Sequence, residues 1–282
     1  MIFNYLVEIF VFVFGVCIGS FLNCAVYRME SKKSLSGRSF CPHCKHILSW
    51  KDLFPVFSFV FLGGKCRYCK AKISAQYPLV ELATGVIFLL IFNMLSVIPN
   101  LIGNPGGLQT LWIPAFAGMT INLAFLFYVA SALIVIFIYD LKHYIIPDKV
   151  LFPAIIITFI YQLFSALGGP ALGWQIVNYL LAALIASGFF LAIFLLSKGR
   201  AMGFGDVKLA ILMGLLLGVP NIFVALFLAF FFGAIIGIIL MIYKGKSLKS
   251  EIPFGPFLIS GTFLAMLYGN QIIQWYSNLF QI

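Results

Sequence analysis

The sequence predicts an all-α polytopic membrane protein of about eight transmembrane helices with a small cytoplasmic zinc-ribbon-like loop domain. Three observations predict it. The 282 residues are 63% hydrophobic and only 9% charged, whereas a soluble domain is nearer half apolar and a quarter charged. The apolar residues fall in blocks about as long as the roughly 20-residue helix that crosses a bilayer. The one long polar stretch, near residues 28–78, carries two C-x-x-C pairs.

Spans are expected near 5–27, 78–97, 119–139, 149–167, 176–197, 207–219, 221–242 and 256–275. The first block, "MIFNYLVEIFVFVFGVCIG", lacks the basic start of a secretory signal and reads as a retained span. Three regions follow: 1–27 as the first transmembrane helix, 28–78 as the cysteine domain, and 79–282 as the remaining helical domain. With the N-terminus outside, all 18 basic residues of this +10 chain fall on one side, which the positive-inside rule makes cytoplasmic. The sixth span is short; moving it inward strands Lys244, Lys246 and Lys249 outside. The opposite side is nearly uncharged, and its longest stretch, from Ser96 to Thr120, is rich in Pro and Gly and reads as an irregular loop. Gly214 with Gly218, and Gly233 with Gly237, are small residues four apart that let helices approach.

In the polar loop, Cys41 and Cys44 form one pair and Cys66 and Cys69 the other, with 21 residues between. Two such knuckles make a tetrahedral thiolate site for zinc. A cytoplasmic loop rarely holds disulfides, so metal explains four cysteines better; free thiols or a redox pair are the plainer alternatives. His43 and His46 are not needed as ligands. Cys17 and Cys24, in the first span, read as packing residues. The loop is basic, but topology and anionic lipid account for that, so no nucleic-acid partner is expected.

Of eight acidic residues, Glu30 and Asp52 read as solvated. Glu81 opens the second span, where the helix dipole favours a negative charge. Three others stand out: Asp140 and Asp148 in "IYDLKHYIIPDKV" and Asp206 in "GFGDVK". Asp148 and Asp206 precede apolar helices and suit N-caps, the likelier role for Asp148. Asp140 ends the third span, at a C-terminus where the dipole disfavours it. Both Asp140 and Asp206 fall at cytoplasmic helix ends, so they can meet. Paired carboxylates share a proton; one activates water and the other protonates a peptide carbonyl. Gly203 and Gly205 leave room for the backbone to bend and approach an extended substrate. His143 reads as a hydrogen-bonded bystander.

Together these segments resemble the type IV prepilin peptidases, bacterial inner-membrane aspartic proteases. "GSFLNCAVYR", the cysteine loop through "YPLVELATG", "YDLKHYIIPD", "GFGD" and "IPFGP" at 252–256 follow that family in order over most of the chain. Cys24, Ala25 and Glu30 depart from its commoner residues. The resemblance implies Asp140 and Asp206 as the catalytic pair. It implies cleavage of the basic leader of type IV prepilins or type II secretion pseudopilins after a glycine at the cytoplasmic membrane face. It also implies N-methylation of the new terminus with S-adenosylmethionine, for which Glu81 is a candidate. Proteolysis itself needs no cofactor. No glycine-rich nucleotide loop of the usual kind is present.

Three rivals stand beside this reading. A proton-coupled transporter would use intramembrane carboxylates, although these lie at a membrane edge. A membrane-anchored zinc scaffold would make the aspartates dispensable. A presenilin-like protease shares the G-x-G-D logic but leaves the cysteine loop unexplained.

Overall fold

A computed structural model describes residues 2–101, 112–167, 172–200, 202–244 and 253–280. Among these are nine α-helices: α1 (Ile2–Glu30), α2 (Phe57–Phe61), α3 (Gln76–Leu101), α4 (Trp112–His143), α5 (Asp148–Leu167), α6 (Leu172–Leu196), α7 (Phe204–Leu217), α8 (Asn221–Lys244) and α9 (Gly255–Phe280). Seven of them, all but α2 and α7, are long and apolar enough to cross a membrane. The chain is a multi-pass membrane protein. The sixth expected span corresponds to α7, with 14 residues, or about 21 Å at 1.5 Å per residue.

The chain divides into two compact units, Met1–Val135 and Ile136–Ile282. In the first, α1 lies against α3 where glycines remove the side-chain barrier. A Cβ on Gly15 would stand 2.9 Å from the Gly85 Cα, and one on Gly19 2.7 Å from the Glu81 Cα. The backbones can therefore approach as closely as small-residue interfaces in membranes allow. A polar latch closes the end near the loop, where the Asn23 amide donates to the Tyr77 carbonyl at 3.1 Å. Phe88 of α3 stacks on Phe127 of α4 with ring centres 4.0 Å apart.

In the second unit α7 is the buried element: nine of its residues, from Asp206 to Leu217, are shut away from solvent. It packs against α5, α6, α8 and α9. The Gln162 amide of α5 donates to the Leu215 carbonyl at 2.9 Å. Asn178 of α6 both donates to the Val219 carbonyl and accepts from its N–H. These bonds answer the backbone groups that a helix end leaves unpaired.

Several expectations are corrected here. Of the two small-residue pairs, only Gly214 makes a close approach, to the Ala183 backbone; Gly218 is a C-cap at φ +66°, Gly233 makes ordinary contacts and Gly237 faces open space. Helix covers both flanks of the stretch read as an irregular loop, since α3 runs to Leu101 and α4 starts at Trp112; its centre, 102–111, lies outside the described residues. So do Lys246 and Lys249.

Candidate active site and metal centre

The cysteine loop folds as two copies of one small turn. In the first, the Cys41 N–H donates to the His46 carbonyl and the Lys45 N–H to the Cys41 carbonyl. In the second, Cys66 pairs likewise with Ala71, and Lys70 with Cys66. Lys45 and Lys70 take matching left-handed conformations, at φ 60° and 58°. Each turn aims two thiols inward. The four sulfurs of Cys41, Cys44, Cys66 and Cys69 lie within 4.8 Å of one another, and Cys41 Sγ is 3.9 Å from Cys69 Sγ. A zinc tetrathiolate with Zn–S of about 2.3 Å has tetrahedral edges of about 3.8 Å, so the donor set fits that ion. His46 instead stacks on Tyr68 at 3.7 Å.

The thiols are unequal. Burial opposes ionisation of Cys41, but hydrogen bonds from the Cys44 and His43 backbone and from neighbouring thiols win and lower it to about 7. The Ala71 backbone favours the Cys69 thiolate, yet burial and bonds to the other three sulfurs push it up to about 11. Four thiolates together require a cation among them.

Asp52 is not solvated as the sequence suggested. Its side chain is 3% exposed and meets Arg67 Nε at 2.7 Å. Its other oxygen accepts from the Ser49 N–H, the Ser49 hydroxyl and the Tyr68 hydroxyl. Burial alone would raise this carboxyl; the bonds from Ser49, Arg67 and Tyr68 outweigh it and hold the group below its usual range. Arg67 and Tyr68 sit between the second pair of cysteines, so Asp52 ties the linker to that knuckle.

Glu81 is also placed differently from expectation. The helix α3 starts at Gln76, so Glu81 lies beyond the first turn, and the dipole argument does not reach it. Its buried carboxylate accepts from the Val56 N–H at 2.7 Å and bonds the Ser20 side chain of α1. Val56 has φ +60°, an uncommon conformation for a β-branched residue. Glu81 seats that strained turn, and its oxygens are engaged in doing so.

The aspartates belong to the second unit. Asp140 lies in the last turn of α4, its carbonyl accepting from the Tyr144 N–H. Asp206 lies in the first turn of α7, whose N-cap is Gly203 rather than Asp206. Its side chain turns back to bond the Gly203 backbone, as an acidic residue three places after a cap can. Asp140 is 4% exposed and Asp206 8%. They are close enough for the charge of one to act on the other.

Three backbone positions frame them. A Cβ on Gly205 would come within 3.1 Å of the Ile146 side chain. One on Gly255 would meet Asp140 Oδ2 at 2.5 Å and the same Ile146 at 3.6 Å. The Gly255 backbone also hydrogen-bonds the Asp140 carboxylate. Gly203, Gly205 and Gly255 thus keep the space around the carboxylates free of side chains. Gly255 was visible in the sequence only as part of "IPFGP"; its role depends on a fold that brings the start of α9 to the end of α4.

Asp148 is the first residue of α5, with Pro147 accepting the first helical bonds. It is therefore not the cap. Its two oxygens take Lys208 Nζ at 2.8 and 2.9 Å. His143 packs on Tyr139 with ring centres 4.5 Å apart.

Residues 13–95 match the Bacterial Peptidase A24 N-terminal domain, and residues 127–238 match the Type IV leader peptidase family. A prepilin leader peptidase/N-methyltransferase of Aeromonas salmonicida (strain A449) is 31% identical, over 94% of this chain and 92% of its own. The chain belongs to the prepilin leader peptidase/N-methyltransferase family. A Bacillus subtilis (strain 168) member is also 31% identical, over 94% and 96% of the two chains. A Pseudomonas aeruginosa member is 28% identical, over 93% and 90%. No solved structure matches this family member. The first matched segment contains the four cysteines and Glu81; the second contains both aspartates. The family accounts for a bifunctional peptidase. It leaves the transporter and scaffold readings without support.

Proposed function

We propose that this chain removes the basic leader of type IV prepilins or type II secretion pseudopilins, and that Asp140 and Asp206 perform the hydrolysis. The observation carrying this is that two buried carboxylates, one from the last turn of α4 and one from the first turn of α7, come within reach of each other's charge and are framed by glycines. The pair shares one proton, because two like charges this close resist double ionisation. The ionised member takes a proton from water as that water attacks the carbonyl carbon. The protonated member gives its proton to the carbonyl oxygen. Collapse of the tetrahedral intermediate then breaks the C–N bond, with proton return to the leaving amine. The bond cut follows a glycine in the family this chain resembles.

The excess of basic residues in the cysteine loop, read with the positive-inside rule, supports a cytoplasmic position for that loop at a bacterial inner membrane, and the family resemblance supports the same side for the aspartates. Zinc, held by Cys41, Cys44, Cys66 and Cys69, supports the loop structurally. Methylation of the new terminus draws on S-adenosylmethionine, as the relatives' names imply. Glu81 stays the candidate residue for that activity: its carboxylate accepts from Val56 and bonds Ser20, which leaves acceptor sites free, and no step is routed through it.

The test is leader removal from a purified prepilin by the reconstituted protein, beside Asp140→Asn and Asp206→Asn. Loss in both variants, with insertion and helicity intact, supports the pair. Unchanged cleavage by both ends the proposal.

A further inference from the structure

Between Asp52 and Lys65 the loop has no charged residue: "LFPVFSFVFLGG" fills 53–64 of an otherwise basic segment. The fold does not bury it. Phe61 is 84% exposed and Val60 68%, and Trp50, Leu53, Phe54 and Phe57 are exposed beside them. None of the residues of α2 is buried. A contiguous apolar patch of this kind on a polar module calls for a partner.

The partner is identified by where the patch is pinned. The Val56 N–H, immediately before α2, donates to Glu81. Glu81 belongs to a stretch of α3, Gln76–Leu95, apolar enough to cross the bilayer. It lies five residues in, about 7.5 Å along the axis at 1.5 Å per residue. The same carboxylate bonds Ser20 within the spanning part of α1. The turn leading into α2 is thus held at the depth of the spanning helices, not above them.

We infer that Leu53–Phe61 inserts into the boundary between lipid headgroups and acyl chains, anchoring the cysteine module flat against the bilayer. Elements that lie in that zone carry Phe and Leu on the face they seat about 5–10 Å into it, as this segment does. Lys65 closes the uncharged run, Lys51 stands just before Asp52 at its start, and Arg67, Lys70 and Lys72 follow, matching an anionic leaflet. Glu81 then acts as the bracket that fixes the insertion depth.

The test uses the unaltered full chain in vesicles of phosphatidylethanolamine and phosphatidylglycerol. An apolar diazirine that partitions into the bilayer is photolysed, and tryptic peptides are weighed. Adducts are expected on the peptide Asp52–Lys65 and not on Ser39–Lys45, which carries the first knuckle. No adduct on Asp52–Lys65, while the spanning helices are labelled, overturns the inference. Equal labelling of both peptides also overturns it, since the whole module would then lie in lipid. Labelling of Asp52–Lys65 that a synthetic prepilin N-terminal peptide abolishes would assign the face to substrate instead.

A second measurement fixes depth. Phe61→Trp is made the sole tryptophan, with Trp50, Trp112, Trp174 and Trp275 changed to Phe and helicity checked by circular dichroism. Its emission is expected to be lost in phosphatidylcholine brominated near the top of the acyl chain and spared by aqueous iodide. Quenching by iodide alone places the segment in water and refutes the insertion.

Discussion

Four buried carboxylates meet two different fates. In the first unit, Asp52 and Glu81 are tied down by donors from neighbouring structure: four bonds to Asp52, and the Val56 N–H with the Ser20 side chain to Glu81. In the second, Asp140 and Asp206 each have a backbone bond from a glycine, and each has the other carboxylate nearby. Saturated acids hold a fold together. Acids with spare oxygens, glycine-lined surroundings and a like charge alongside are the kind of pair the proposed proton transfer requires. Burial alone does not separate the two classes; the tally of donors does.

The largest way to sharpen this contrast is to remove the zinc proposed for the cysteine loop of the first unit. Cys66→Ser should abolish the zinc content, about one ion per chain in the unaltered protein for a closed four-thiolate site, as measured by mass spectrometry of the purified protein. Since structural zinc supplies on the order of 10 kcal/mol, the loop should become protease-sensitive while the helices stay inserted. Zinc retained at full occupancy would break the four-ligand assignment.

Next in size is the aspartate pair. Asp140→Asn and Asp206→Asn should each lower prepilin cleavage by on the order of 10³-fold or more, because residues acting as one unit fail together. Thermal unfolding should change little. If these variants instead unfolded like loop mutants, the second unit's acids would belong with the first unit's.

Gly255→Ala comes third. The new Cβ would press on Asp140 Oδ2, and a misplacement near 1 Å can cost about 10²-fold in rate. The loss should fall on kcat rather than KM, and the pH profile of cleavage should move, which a simple packing defect would not cause. Unaltered kinetics would remove α9 from the site.

The smallest effect concerns Asp52. Replacing it with Asn should weaken the loop by about 2 kcal/mol, the scale of hydrogen bonds to a charged group, read as faster amide exchange around the second knuckle. In the unaltered chain this contribution has a defined pH window. The folded carboxyl lies below its ordinary value. Its stabilisation is therefore fully present above the unfolded value of about 3.9 and disappears as pH falls through the lower folded one. Loosening already at neutral pH would contradict the bonding described.

Legibility in the sequence followed the same divide. Membrane spans were readable because a bilayer demands a fixed apolar length, and the cysteine cluster because ligand spacing is local. Asp140 stood out because it sits where the helix dipole disfavours an acid, and Asp206 because its GFGD segment falls at a helix end on the same side. Asp52, Glu81 and Asp148 were misjudged because their partners lie 15, 25 and 60 residues away, where spacing rules carry no information. Gly203 rather than Asp206 caps α7, since two glycines can enter a helix as readily as an acid can cap it. The close α1–α3 contact came from Gly15 and Gly19, four residues apart in α1, with Gly85 of α3; that pair carried the same small-residue spacing as the two glycine pairs singled out in the sequence, and it went unread there.

The shortness of α7 has a consequence for what fixes the depth of Asp206. Its roughly 21 Å length is about 9 Å less than the hydrocarbon thickness, and the helix is enclosed by protein neighbours rather than lipid. A helix held that way takes its position from packing and not from the span of the bilayer. Turnover should therefore stay level across phospholipids of differing tail length, and a steep dependence on bilayer thickness would mean that lipid sets the depth of the first turn.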